Sequence, residues 1–423
     1  EIMAALFPDT PYGNESGGDP EVIPELTYED FLAFHKKYYH PSNSYIYLYG
    51  NMDMAEKLQW LDKEYLSEYD TIQVESALPV QEAFKETREV ILEYSISETE
   101  DEKDNTYLSY NKVIGTSLDR ELYLAFQVIE YALLAAPGAP LKQAILDAKI
   151  GKDVMSSYDN GIMQPTCSII TKNANIEQKD AFVTLIHQTL ENLVNKGLDK
   201  KALEAGLNYY EFRYREADFG NYPKGLMYGL QAFDSWLYDE NKPFIHLEAL
   251  DTFASLRKRV DTDYFEKLVQ EYLLDNTHAA IVIVKPKKGL SQEKEEQLAK
   301  KLADYKASLS KEECEKLVAF THHLREYQEE ESSQEDLEKI PVLQLGDIDK
   351  NVRPFKNEEL LIENTKVIYH DYHTNGIVYL NMAFDITKIP QEFLPYVSIL
   401  KNVLGYIDTE NYSFGELFNE INR

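Results

Sequence analysis

Two stretches of this chain recur in pattern, and that recurrence limits what it can fold into more than any single residue does. ELYLAFQVIEYALL (121–134) superimposes on EFLPYVSILKNVLG (392–405) with its apolar positions in step, and each follows a strand-like run, TYLSYNKVI or VYLNMAFDI. Likewise DFLAFHKKYYHPSNSYIYLYGN (30–51) and DYFEKLVQEYLLDNTHAAIVIVKP (263–286) share one order: helix, short turn, buried strand. Self-similarity on this scale marks a duplicated supersecondary unit. The end of the unit stands before one whole copy and its beginning stands after it. The chain therefore reads as the tail of a first unit, all of a second and the head of a third. The fold class expected is α+β, built from repeated strand-helix sandwich domains, and a length of 423 residues also calls for more than one core.

Residues 1–76 are assigned to the first unit. After a Pro-, Gly- and acid-rich start, TYEDFLAFHKKYY opens with a Thr27–Asp30 capping-box pattern and puts Phe31, Phe34, His35 and Tyr38 on one helix face. SYIYLYGN reads as a buried strand and MAEKLQWLDKEYL as a second helix, with 77–96 an extended connection. The second unit, 85–287, is expected to hold a strand at 104–114, a helix at 119–135, strands in GKDVMSSYD and TCSIITKNA, and a helix at 177–196 stopped by Gly197. More helices then run to about 274, and AAIVIVKP closes the unit as a strand. Residues 288–340 are a linker: Leu298, Leu302, Tyr305 and Leu309 make one narrow apolar stripe, and Leu317, Phe320, Leu324 and Tyr327 another. The Ser310–Glu313 capping box between them predicts two antiparallel helices forming a hairpin. The third unit begins with IPVLQLGDI and spans 341–423.

Charge narrows the partners. With 74 acidic against 43 basic residues the formal charge is −31, which repels nucleic acid and anionic lipid and favours cationic partners, basic peptides among them. An ordinary solvated acidic surface gives the same balance. Cys167 and Cys314 fall in different units, so neither a disulfide framework nor a Cys-based zinc knuckle is expected; a reducing, cytoplasmic setting fits. No apolar run approaches the roughly 18–20 residues that span a bilayer, and the first residues lack the pattern of a signal peptide. Beginning at Glu1 and ending at NEINR within a helical pattern, the sequence reads as a piece of something longer.

Few residues suggest chemistry. THHLREY (321–327) packs two histidines and a glutamate into one turn, but His323 and Glu326 give H-x-x-E followed by Tyr327 where a second imidazole would be needed. His322, His323 and Glu326 read better as the solvated edge of a linker helix than as a metal site. His370 and His373 in HDYHTNG, three apart, would point to opposite faces on entering a strand, so they read as turn residues with Gly376 permitting the bend. GKDV (151–154) has one glycine and no following Ser or Thr, too little for a phosphate loop. His35 reads as a rim or core residue. Tyr209, Tyr210, Tyr214, Tyr222 and Tyr228 suit either half-buried helices or a wall that must hold varied peptides.

The runs LFPDTPYGNESGGDPEVIPELTYEDFLAFHKKYYHPSNSYIYLYGN, LKQAILDAKIGKDVMSSYDNGIMQPTCSIITKNAN, FGNYPKGLMYGL, IPVLQLGDI and HDYHTNGIVYLNMAFDI resemble the presequence-protease branch of the pitrilysin (insulinase) metallopeptidase family, in order and over essentially the whole chain. The resemblance implies a parent enzyme of four homologous domains, paired into halves joined by a helical hairpin and closing around a chamber in which unfolded peptides are cleaved. It also implies a catalytic zinc held by an H-x-x-E-H helix and an upstream glutamate, with further transition-state residues in the fourth domain. No H-x-x-E-H occurs here, and the counterpart helices 119–135 and 390–404 contain no histidine. No catalytic or metal residue is therefore assigned, no zinc is expected on this chain, and its substrate-binding residues are unknown. The reading is the central portion of a zinc metalloendopeptidase, supplying chamber wall and hinge, with unfolded peptides, basic ones included, and the rest of the same polypeptide as partners, and self-association through its incomplete terminal units. The alternatives are a non-catalytic peptide-binding or scaffold partner of the same family and a helical-repeat adaptor, the latter opposed by the long buried strands.

Overall fold

The computed structural model of the protein describes every residue except Arg353. The chain opens with α1 (Ile2–Leu6), α2 (Tyr28–Tyr38) and α3 (Met54–Glu64). A sheet-and-helix region follows: β1 (Arg88–Ile96), β2 (Thr106–Val113), α4 (Arg120–Glu130), α5 (Pro140–Asp147), β3 (Asp153–Asp159), β4 (Thr166–Ala174), α6 (Lys179–Lys196), α7 (Lys200–Glu216), α8 (Lys224–Trp236), α9 (Leu250–Arg259), α10 (Tyr264–Val269) and β5 (Ala279–Lys288). Then come α11 (Leu290–Ser308), α12 (Lys311–Glu329), α13 (Gln334–Glu338), the β6 (Glu358–Ile362)–β7 (Thr365–Tyr369) hairpin, α14 (Leu394–Val403) and α15 (Phe414–Asn422). The mixture is α+β. The chain divides into two compact units, one comprising 1–94, 99–287 and 377–423, the other 95–98 and 288–376.

The first unit is organised by a five-stranded sheet in the order β1-β5-β2-β4-β3. Central β2 runs antiparallel to both neighbours, with Tyr110 opposite Ile169 of β4 and Ile281 of β5. Period-two alternation sends successive side chains to opposite faces. On one face Leu108, Tyr110, Val154, Ile169 and Ile283 meet the helices, where Phe126, Ile129, Phe182, Phe253 and Phe265 form the largest core cluster. On the other face Val113, Ala280 and Val282 are covered by Ala5, Leu6 and Phe7, with Val90 and Leu92 of β1 beside them. This N-terminal segment is locked by polar contacts: Arg88 donates to the Ala5 carbonyl at 3.0 Å and His278 Nε2 lies 2.9 Å from that of Leu6.

Helix α4 is the spine of this unit because eight of its eleven residues are buried, and it is launched by Asp119, whose carboxylate accepts from the amides of Glu121 and Leu122. By length and composition the helical stretch Arg120–Asp147 could cross a membrane, but 78% of its apolar window is buried within this fold, the mark of a core helix. The expected elements at 104–114, 119–135, 151–159, 166–174, 177–196 and 279–286 all form, and Gly197, at φ 88°, ends α6.

Three expectations need correction. SYIYLYGN is neither buried nor paired: residues 44–49 run along α8, where Tyr45 packs on Trp236 with ring centroids 4.7 Å apart. VYLNMAFDI likewise joins no ladder. A strand satisfies its amides only through a neighbour, and among the described residues neither segment has one. Conversely, the supposed connection at 77–96 contains edge strand β1.

In the second unit α11 and α12 form where expected, and the Ser310–Glu313 capping box is made in both directions. Their apolar stripes stay exposed, Leu298 at 53% and Phe320 at 64%. No residue of β6 is buried and only Val367 of β7 is partly so.

Candidate functional site

The sequence-marked histidines do not assemble. His322 and His323 are neighbours on α12, about 100° apart around its axis, so they cannot aim at one ion, and both are exposed with Glu326. His370 Nδ1 lies 3.1 Å from the Lys356 carbonyl, and His373 Nε2 lies 2.8 Å from Asn375 Oδ1, both beside the turn that Asn375 and Gly376 make at positive φ. His35 is exposed and stacks on Tyr39 at 4.7 Å. Among the described residues no three His, Cys, Asp or Glu side chains converge as metal ligands, so the side chains present do not fit a catalytic zinc, which needs three such ligands and orienting partners. Gly151 of GKDV turns the chain into β3 at φ 72°.

The tyrosines divide. Tyr222 is exposed. Tyr209 and Tyr210 pack with Tyr131 of the π-helical turn after α4, centroids 5.0 and 6.1 Å away. Tyr210, Tyr214 and Tyr228 instead line a cavity of about 390 Å³ together with Tyr123, Asp234 and His246. Tyr123 comes from α4, Tyr210 and Tyr214 from α7, and Tyr228 and Asp234 from α8. α8 can approach closely because its buried stripe is small: Gly225, Gly229, Ala232 and Ser235.

At the floor of this cavity Tyr123 donates to Asp234 Oδ2 at 3.0 Å, and the His246 ring stacks on Tyr123 with centroids 3.7 Å apart. Burial pushes the Asp234 carboxyl up to about 6, against the Tyr123 hydrogen bond and helped by Asp159. Burial pushes His246 down to about 4, opposed by a hydrogen bond to the Ser117 backbone, with Arg120 adding to the depression. At neutral pH the imidazole is thus uncharged and the carboxylate ionised. His246 is only 4% exposed, yet its Nε2 has no hydrogen-bond partner. Two further buried ionisable groups lie in the core: Glu130, which accepts from Ser156 and is raised by burial, and Lys112, lowered to about 8 by burial. Sequence reading missed all of these. The available signal was polar residues interrupting apolar faces, as Asp234 does in LQAFDSW and His246 in PFIHLEAL.

Two family models match the chain: "Peptidase M16 inactive domain" over residues 25–210, and a model for the region associated with subfamily C of the M16 peptidases over 284–423. Protein HypA of Clostridium perfringens is 41% identical over 422 residues, which are 100% of this chain and 43% of that protein. Presequence protease 1, chloroplastic/mitochondrial, of Arabidopsis thaliana is 32% identical over 427 residues, 99% of this chain and 39% of that protein. The chain thus spans less than half the length of these relatives. In fold it is similar to the crystal structure of a peptidase M16 inactive domain from Pseudomonas fluorescens, with a TM-score of 0.50 and 16% identity over 68% of this chain and 64% of that one.

Proposed function

The chain belongs to the peptidase M16 family, and from that premise we propose that it is the non-catalytic central portion of a zinc-dependent metalloendopeptidase that degrades unfolded peptides in a closed chamber. The observation that carries the reading is the match of 25–210 to an inactive-domain family model together with a sequence that contains no H-x-x-E-H. The M16 metallopeptidases are zinc enzymes; on this reading the ion belongs to the parent protein, and this portion supplies chamber wall and, through α11 and α12, the hinge. A strongly acidic surface would draw basic peptides toward that chamber.

A second reading is favoured by the same description of the domain as inactive: a non-catalytic partner that holds peptides without cutting them. One experiment separates these from an overlooked active site. Zinc content after dialysis and cleavage of an unstructured peptide are measured on this chain and on the longer polypeptide of the relatives' length. Neither zinc nor chelator-sensitive cleavage is expected for this chain, and both for the longer one. Stoichiometric zinc on this chain would refute the proposal, and peptide binding without cleavage in both would favour the second reading.

A further inference from the structure

The cavity between α4, α7 and α8 is lined almost wholly by groups that accept. His246 donates to the Ser117 backbone, and since its Nε2 is the nitrogen without a partner, the hydrogen sits on Nδ1 and Nε2 presents a lone pair. Leaving such an acceptor buried and unmatched costs about 1–3 kcal/mol, so it points to a donor that arrives from outside. Asp218 and Asp234 add carboxylates to the wall, and the Tyr123 hydroxyl hydrogen is already engaged by Asp234. The remaining surface is aromatic: Tyr210, Tyr214, Tyr228, Phe219 and Phe253, with Tyr228 set edge-on to Phe219 at 87°. The one cationic side chain in the lining, Arg213, is engaged by Tyr209, to whose hydroxyl it donates at 2.8 Å and over whose ring it lies. About 390 Å³ is within the range of small-ligand sites and leaves room for a four- or five-atom chain with a polar head.

Acceptors without free donors, flanked by π faces and two carboxylates, select a donor-rich cation. We propose that this cavity binds a primary ammonium or guanidinium group, with one of its N–H bonds donated to His246 Nε2 and its charge held by Asp234, Asp218 and the surrounding rings. The group could belong to a free alkylamine or to a basic side chain of an unfolded peptide. Only the second source rests on the peptidase reading, and binding is measured here without cleavage, so the two ideas fail separately.

The test is nitrogen NMR of the histidine rings in this chain, which has nine histidines, with the His246 resonances identified by their loss in His246→Phe. Butylammonium, butylguanidinium and an unstructured peptide carrying a single lysine are titrated in, with butanol and the norleucine peptide as neutral counterparts. The cations are expected to move the His246 Nε2 resonance, and the neutral probes to leave it in place. Asp234→Asn should weaken cation binding by about tenfold or more, while Glu335→Gln on exposed α13 should not change it. A shift with the free amines alone assigns the site to small amines, and a shift with the lysine peptide as well assigns it to peptide side chains. A His246 resonance unmoved by any cation in the wild-type protein overturns the proposal, as does binding that Asp234→Asn and Glu335→Gln weaken alike.

Discussion

Asp234 and His246 make opposite demands on pH, and their removal one at a time should expose a cancellation. The folded carboxyl titrates near 6 instead of 3.8, so its contribution to stability is fully present below 3.8 and lost as pH rises through 6. The folded imidazole titrates near 4 instead of 6.5, so its contribution is present above 6.5 and lost as pH falls through 4. At about 1.4 kcal/mol for each pH unit between the two values, each term amounts to about 3 kcal/mol across nearly the same window. Together they leave this cluster almost indifferent to pH between 4 and 6.5. Asp234→Asn, whose amide oxygen can still accept from Tyr123, should make the protein lose about 3 kcal/mol more than wild type on acidification across that window. His246→Phe, which keeps the stack on Tyr123, should gain a similar amount relative to wild type over the same interval. The assay is urea unfolding at a series of pH values, followed by the fluorescence of Trp236, which lies on α8 with Asp234. Comparing variants with wild type removes the background of the many other carboxylates. Profiles for both variants parallel to wild type would refute the assignment of these two buried groups.

Two other substitutions probe the core around the sheet. Lys112 is 2% exposed with its ammonium donating to the Asn276 carbonyl, and its lowered value near 8 means that its contribution, present above 10.5, is lost as pH falls toward 8. Lys112→Met should therefore stabilise the protein by about 2 kcal/mol at pH 7 after about 1 kcal/mol for the lost hydrogen bond, a gain that shrinks toward about pH 10; unfolding free energies at the two pH values check it. Gly151 sits at φ 72° where a Cβ would fall 2.5 Å from the Lys172 carbonyl oxygen, so Gly151→Ala should cost about 1–3 kcal/mol and raise hydrogen exchange at the start of β3, with unchanged exchange counting against it.

The helices were legible because a helix closes its hydrogen bonds within its own sequence. The Thr27 cap, the Ser310 capping box and the stop at Gly197 each rest on a few neighbouring residues, and each is present. Strands are legible only with their partners. The buried runs of β2, β4 and β5 bond to one another and form, while the equally strand-like 44–51 and 378–386 lack ladders and do not. β1 shows the converse error: its alternation of Val90, Leu92, Tyr94 and Ile96 was written in the sequence but passes for a linker until β5 is seen beside it. The cavity was less legible still, since Tyr123 and Asp234 are 111 residues apart and no spacing rule connects them.

The segment at 378–386 carries that reasoning one step further. Val378, Leu380, Met382 and Phe384 are 90%, 77%, 71% and 81% exposed, and with Ile386 they occupy alternate positions, so an extended backbone would array all five on one face. Asn381 and Asp385 fall on the opposite face, which gives this run the pattern of a half-buried strand without a ladder. An apolar, unpaired, strand-competent segment is a template for pairing with another chain. We expect concentration-dependent self-association in sedimentation velocity, reduced when Leu380 and Phe384 are both replaced by lysine, because charge on that face opposes its burial without touching the folded sheet. A monodisperse monomer at every concentration would show that the segment's exposure is tolerated in solution. Self-association undiminished in the double variant would move its origin to the other exposed stripes, those of α2, α11 and α12.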